Sequence, residues 1–203
     1  MRIENLEVHN LTNAIRGMRN RKRDWYKSFS IRGIVDFDKA EKLACDNNLA
    51  ITDVIIWQES TKNCEVYIMD PDDQQLAQEL LEQHNYTHLK QIQVSMDLTA
   101  PLYWWLDFLT RKSELIVVNF EGSVPAYLQS PSGASGRALI GGPTEEIPKQ
   151  IPLGFETMAT ITMTYDDCRM FYEKYFELIE HSPEWKWFIK RLMGLPYAKC
   201  LFL

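Results

Sequence analysis

The stretch Gln91–Lys112, QIQVSMDLTAPLYWWLDFLTRK, carries two periodicities back to back. Ile92, Val94, Met96 and Leu98 alternate with Gln91, Gln93, Ser95 and Asp97, and a period of two with one apolar side describes a strand with one buried face. The pattern changes at Thr99-Ala100-Pro101. Thr99 is placed to cap a helix, and Pro101 falls where a missing N–H leaves no bond unmade. Beyond it Leu102, Trp105, Leu106 and Leu109 line a helix, with Tyr103, Trp104 and Phe108 on its flanks. Thr110, Arg111 and Lys112 close it, the two cations lying where the helix dipole favours positive charge. A strand feeding so apolar a helix belongs at the centre of an α/β fold. Arg111 and Lys112 admit two readings, a solvated helix end or an anion site.

The bulk composition narrows the class. The chain has 203 residues, 45% of them hydrophobic and 12% aromatic, enough for one domain with a sizeable core. A net charge of −6 argues against broad electrostatic binding to nucleic acid. Cys45, Cys64, Cys168 and Cys200 share no close spacing, so no paired Cys/His metal ligands are visible and reduced thiols are expected. No apolar run approaches the ~18 residues that span a membrane, and no signal peptide is seen. A cytoplasmic protein is expected.

Outward from the centre, residues 2–9 are expected to form a loosely alternating first strand. Asn10 or Thr12 can cap a helix through Ala14, Ile15 and Met18. The most basic run follows, with Arg16, Arg19, Arg21, Lys22 and Arg23 ahead of Trp25 and Tyr26. It fits a solvated helix end, or a phosphate-binding edge with aromatics for stacking. Residues 31–70 look like a small β-α-β insertion: a strand at 34–37, a helix at 38–45, and strands at 54–57 and 64–69 joined as a hairpin. Asp70-Pro71-Asp72-Asp73 starts an acidic-capped helix that runs out near His84.

After the central helix, Leu115–Phe120 reads as a second, buried strand. From 122 to 152 the chain turns to Gly, Pro and Ser, a surface loop with no GxGxxG or Walker pattern. A strand is expected at 158–165, a helix at 166–181, and another at 184–193 with Trp185, Phe188, Ile189 and Leu192 as a core stripe. Gly194-Leu195-Pro196-Tyr197 is expected to end the ordered chain.

Several of these stretches resemble one family. Ala14-Ile-Arg-Gly-Met-Arg-Asn20 with Trp25 and Lys27-Ser28, Thr87-His88, Gln91-Ile92, and above all Asp97-Leu-Thr-Ala-Pro-Leu-Tyr-Trp-Trp105 are similar to the flavin-dependent thymidylate synthases, most closely to divergent members from phages and their hosts. Thr160–Tyr165, His181 with Glu184-Trp185, and Leu195-Pro-Tyr197 extend the likeness. The resemblance implies a single domain over 1–203, a central mixed sheet flanked by helices. The 31–70 insertion and the 122–152 loop lie outside the match. It further implies a homo-oligomer, dimer or tetramer, with FAD as cofactor, no metal, and a pyrimidine nucleotide such as dUMP as substrate.

The family's Arg-His-Arg motif falls on Thr110-Arg111-Lys112, its preceding Gln on Asp107, and its Ser and final Arg on Phe120 and Gly122. A nucleotide phosphate and a uracil anion need fixed forks of donors, which Arg supplies and Lys does not. Thr110, Arg111, Lys112, His88, Arg16 and Arg19 are therefore the candidate ligand-binding residues, with His88 matching a position near the flavin. Two functions stay open. One is an active FAD-dependent methyl or hydroxymethyl transferase. The other is a binding protein on the same scaffold, its catalytic motif lost, holding a nucleotide-like ligand or a protein partner.

Overall fold

The computed structural model describes residues 1–22, 30–60, 63–112, 115–120, 154, 156–175 and 182–202. The chain is mixed α/β and divides into two compact units, Met1–Leu6 with Ser95–Met163, and Glu7–Val94 with Thr164–Leu203. Among the described residues no helix is long and apolar enough to cross a membrane. The 122–152 loop lies outside the described residues, as do the 176–181 end of the expected helix and the Trp25 region of the basic run.

Four strands, β1 (Arg2–His9), β5 (Gln93–Pro101), β7 (Glu156–Thr164) and β6 (Val117–Phe120), lie side by side in the order β1-β5-β7-β6. The sheet is antiparallel where a mixed one was expected. An antiparallel sheet can leave one face to water, and that is what the alternation in β5 requires. Its Met96, Leu98 and Ala100 are buried while Ser95, Asp97 and Thr99 are half-exposed. Asp97 ties three strands together on that polar side. It accepts bonds from Asn5 Nδ2 and Thr160 Oγ1, both at 2.6 Å. These two donors hold its carboxyl below the ordinary carboxylate value. Asn5 reaches it from a left-handed backbone conformation (φ 48°), which interrupts the pleat of β1 and accounts for its loose alternation.

Thr99 does not cap a helix. The strand runs on to Pro101, because the residue before a proline is pushed into the extended region. Helix α5 starts one residue later (Leu102–Arg111), with Pro101 at its cap position and no side-chain cap. Trp104, Trp105 and Phe108 are at most 1% exposed. Trp104 stacks on Phe108 with centroids 5.0 Å apart, and Trp105 meets Phe120 edge-on at 5.0 Å. The expected buried strand at 115–120 is corrected. Only Val117–Phe120 is strand, it lies at the sheet edge paired with β7 alone, and Leu115 and Val117 are 74% and 52% exposed. An edge strand has one neighbour to bury against, so an apolar run there is not a core run.

The second unit contains a separate three-stranded antiparallel sheet, β2 (Ile31–Val35), β4 (Asn63–Ile68) and β3 (Ile55–Ser60), in the order β2-β4-β3. It realises the strand-helix-hairpin order read from the sequence. Helix α2 (Phe37–Asp46), capped by Asp36 on Lys39 N–H, and the short α3 (Ile51–Val54) bury Ala40, Ala44 and Val54 against Cys64, Val66 and Ile68. The other helices of this unit are α1 (Leu11–Met18), α4 (Pro71–Glu82), α6 (Tyr165–Tyr175), α7 (Pro183–Leu192) and α8 (Ala198–Phe202). Asp70 and Ser182 cap α4 and α7 through their side chains. Asn10 takes the cap position of α1 without capping it; its Nδ2 instead donates to the Gln91 carbonyl at 3.0 Å.

The chain does not end its order at Tyr197. Helix α8 follows, with Leu201 and Phe202 buried. Tyr197 turns the backbone through a left-handed conformation (φ 56°). Its hydroxyl accepts from Met69 N–H at 2.7 Å and donates to the Tyr67 carbonyl at 3.0 Å.

Candidate functional site

At the exit of α5 the three candidate residues are engaged locally. Thr110 Oγ1 donates to the Asp107 carbonyl at 2.7 Å, as a helix-end threonine commonly does. Arg111 Nε donates to Asp107 Oδ1 at 2.5 Å, a one-turn ion pair with both side chains more than a third exposed. Lys112 Nζ donates to the Ile116 carbonyl at 2.9 Å, just ahead of β6. Asp107 therefore occupies Arg111 at the place where an incoming anion would have to compete with it.

In the second unit, Arg16 is exposed on α1, with Nη2 3.4 Å from Asn13 Oδ1. Arg19 sits one turn on and faces inward, 6% exposed, with Nε 2.5 Å from Asp73 Oδ1. Ser30 Oγ donates to the other oxygen of Asp73 at 2.8 Å and accepts from Asp70 N–H. The Arg19 guanidinium is thus a buried structural cation rather than a surface phosphate clamp. FAD carries a pyrophosphate that calls for a set of fixed cationic donors. Among the described candidates, Arg19 and Arg111 face carboxylates, Lys112 donates to a backbone carbonyl, and Arg16 lies exposed on α1.

His88 stands apart. It lies in the turn after α4, next to the 3-10 turn Leu89–Gln91, and is 4% exposed. Both ring nitrogens are buried from solvent. The Asn85 carbonyl and the Asp166 carboxylate are close enough to favour a proton on the ring, yet burial outweighs both and pulls the pKa down to about 4. The imidazole is neutral at physiological pH, offering one N–H and one lone pair. It lines a recess of about 130 Å³ together with Ala14, Gly17, Met18, Leu80, Asn85, Thr87 and Gln91. Asn85 Oδ1 accepts from Thr87 N–H and Oγ1 at 3.3 and 2.8 Å, which fixes the amide and leaves its NH₂ end to face elsewhere.

Of the six candidates, then, the structure brings His88 to a recess with Gly17, the neighbour of Arg16, while Arg16 and Arg19 themselves do not line it. A scan against protein-family models returns no match, and no curated protein matches the chain. Sequence reading missed Gly17, Asn85 and Gln91 as lining residues. Gly17 was the available signal: a glycine inside a helix is unfavourable by roughly 0.5–1 kcal/mol against alanine, and so marks a place where a side chain is unwelcome. A Cβ there would come 3.7 Å from Gln91 Oε1, an ordinary contact, so it is the recess and not a clash that the glycine preserves.

Proposed function

We propose that this protein is a non-catalytic binding protein on a scaffold like that of the flavin-dependent thymidylate synthases, and that it holds a nucleotide-like small molecule. The observation that carries the reading is the contrast between its polar groups. Two of the four candidate cations are engaged by carboxylates within the fold, Arg111 by Asp107 and Arg19 by Asp73. A buried, neutral His88 meanwhile lines a recess of about 130 Å³.

The purified protein is expected to be colourless and to take up no FAD. Mass spectrometry of small molecules released by denaturation is expected to find a nucleotide-like compound, which rebinds saturably in calorimetric titration. A yellow protein that retains FAD and methylates dUMP would overturn the reading in favour of the enzyme.

A protein partner is supported by a separate observation. Ile31 and Ile34, on the edge strand β2, are 56% and 77% exposed, and exposed apolar residues on an unpaired strand edge are open to pairing. If the released fraction holds no small molecule and no nucleotide binds, this becomes the better account.

A further inference from the structure

The small sheet β2-β4-β3 has two edges, and they are built differently. Along β3 the register with β4 slips twice, between Ile55 and Trp57 and again between Gln58 and Ser60. Irregularities of that kind bend an edge and keep other strands from adding to it. Along β2 the register is unbroken, from Ile31 opposite Ile68 to Val35 opposite Cys64. The strand holds no proline, and among the described residues its outer side has no neighbour. Its one charged residue, Arg32, is bonded through Nε to Glu65 Oε1 at 2.5 Å, which cancels the repulsion that a lone edge cation offers. Ile34, 77% exposed, is the most exposed large apolar side chain among the described residues. The backbone stays extended one residue further, to Asp36 at the cap of α2 (φ −72°, ψ 161°).

Gly33 adds a second observation. Glycine weakens a strand, and its usual reasons are a bulge, a bend or the close approach of another backbone. Gly33 sits at no bulge, has no positive φ, and a Cβ built on it would meet nothing within 4 Å. The described chain itself has no use for the missing side chain.

These features select one occupant. A second β2 that keeps its helices on the same side of the joined sheet brings residues of the same face opposite each other. Of the two-fold axes near the middle of the strand, one at Arg32 would oppose two guanidinium groups, and one at Gly33 would oppose Arg32 and Ile34. At Ile34 every pair is complementary. Ile34 meets Ile34, Val35 faces the space left by Gly33, and Arg32 lies directly opposite Asp36, its opposite charge. Asp36 has capacity for it: its side chain is 44% exposed, and the N–H and ammonium of Lys39 engage only part of its carboxylate. We propose that β2 pairs antiparallel with β2 of a second copy of this chain about a two-fold axis at Ile34, joining two three-stranded sheets into one. The contact lies within residues 31–70, outside the stretches that resemble the thymidylate synthases, and it stands whether or not the protein also holds a small molecule.

The test is sedimentation velocity on the full chain over a concentration series from micromolar to near-millimolar. Wild type is expected to associate reversibly. Ile34→Lys sets two cations at the axis while leaving the cap of α2 and the core untouched, and is expected to weaken that association at least about tenfold. Arg32→Asp and Asp36→Lys each set like charges opposite each other and are expected to do the same. Mixed in equal amounts, these two are expected to recover association, because each carries the charge that the other lacks. A loss of fold in the separate chains produces no such rescue. Circular dichroism melts show which variants are folded, and Ile34→Lys decides alone if loss of the capping carboxylate unfolds Asp36→Lys. A wild type that sediments as a single chain throughout overturns the inference and leaves the β2 edge to a different protein. Ile34→Lys that associates as tightly as wild type, or a mixture of folded variants that associates no better than its components, overturns it as well.

Discussion

Arg19 and Asp73 form an ion pair with side chains 7% and 0% exposed, joining the end of α1 to the first turn of α4 through a 2.5 Å bond. The sequence marks both as surface residues, one in a basic run and one in an acidic cap. Removing one member of a buried pair leaves the other uncompensated, which destabilises by roughly 3–5 kcal/mol. Asp73→Ala is expected to lower the unfolding free energy measured in urea by that amount without changing the slope. Asp73→Asn keeps one acceptor oxygen, for Arg19 or Ser30 but not both, and is expected to fall between it and wild type. A variant with an unchanged midpoint would show the pair to be solvated.

Trp105 is fully buried, and its Nε1 donates to the Thr157 carbonyl at 3.1 Å. Trp105→Ala removes a large side chain from a packed aromatic cluster and is expected to destabilise by roughly 3–5 kcal/mol. Trp105→Phe retains most of the packing and loses the bond to Thr157. Thermal unfolding of the two variants separates packing from hydrogen bonding: equal losses would assign the whole effect to the bond.

Arg111 is paired with Asp107 one helical turn away, both side chains well exposed. Pairs of this kind contribute about 0.3–0.5 kcal/mol. Arg111→Ala is expected to change the unfolding free energy by no more than that, and to leave nucleotide affinity in calorimetric titration unchanged. A drop in affinity of tenfold or more would restore Arg111 to the binding site.

His88 provides a pH signature. Its folded pKa is about 4 against an ordinary value of 6.5. Between those values the unfolded chain binds a proton that the folded chain refuses, so stability rises with pH there and falls on acidification. The contribution is complete above pH 6.5 and is lost as pH falls toward 4, to the extent of about 3 kcal/mol. Asp36 and Asp97, whose pKa values are lowered, act in the same direction at lower pH, below their ordinary 3.8. The comparison that isolates His88 is therefore wild type against His88→Leu. The variant is expected to lose less stability between pH 6.5 and 4, and parallel curves would count against a buried neutral ring.

Leu115 and Val117 leave β6 with exposed apolar side chains at a sheet edge, and the chain carries six Trp, nine Tyr and nine Phe. A homo-oligomer, dimer or tetramer, is the expected state. Light scattering that returns the mass of a single 23.8 kDa chain at micromolar concentration would sink that expectation.

The elements that could be read from the sequence are those whose pattern is local. The alternation of β5 and the apolar stripe of α5 each declare themselves within ten residues, and the Asp70-Pro71 start of α4 announces its own cap. The departures have specific causes. Thr99 looked like a cap because threonine often is one, but Pro101 holds Ala100 extended and carries the strand through it. Helix α8 was invisible because five residues are too few to show a period and Pro196 reads as a stop. Leu115–Phe120 was read as core because hydrophobicity does not reveal whether a strand has one neighbour or two. The recess was the least legible feature, since Gly17, Leu80 and His88 come from three elements and meet only in the fold. The sequence singles out His88, but nothing in it distinguishes a buried ring from that of an ordinary turn histidine.

Tyr197 fastens the backbone at Tyr67 and Met69 from far along the chain. During translation the strand that ends at Ile68 therefore leaves the ribosome with two backbone groups whose partner has not yet been made. The unit that contains it is also split, its closing helices encoded after the whole of Ser95–Met163. Completion of that unit runs against the order of synthesis, and the nascent chain must carry it unfinished until Tyr197 has emerged.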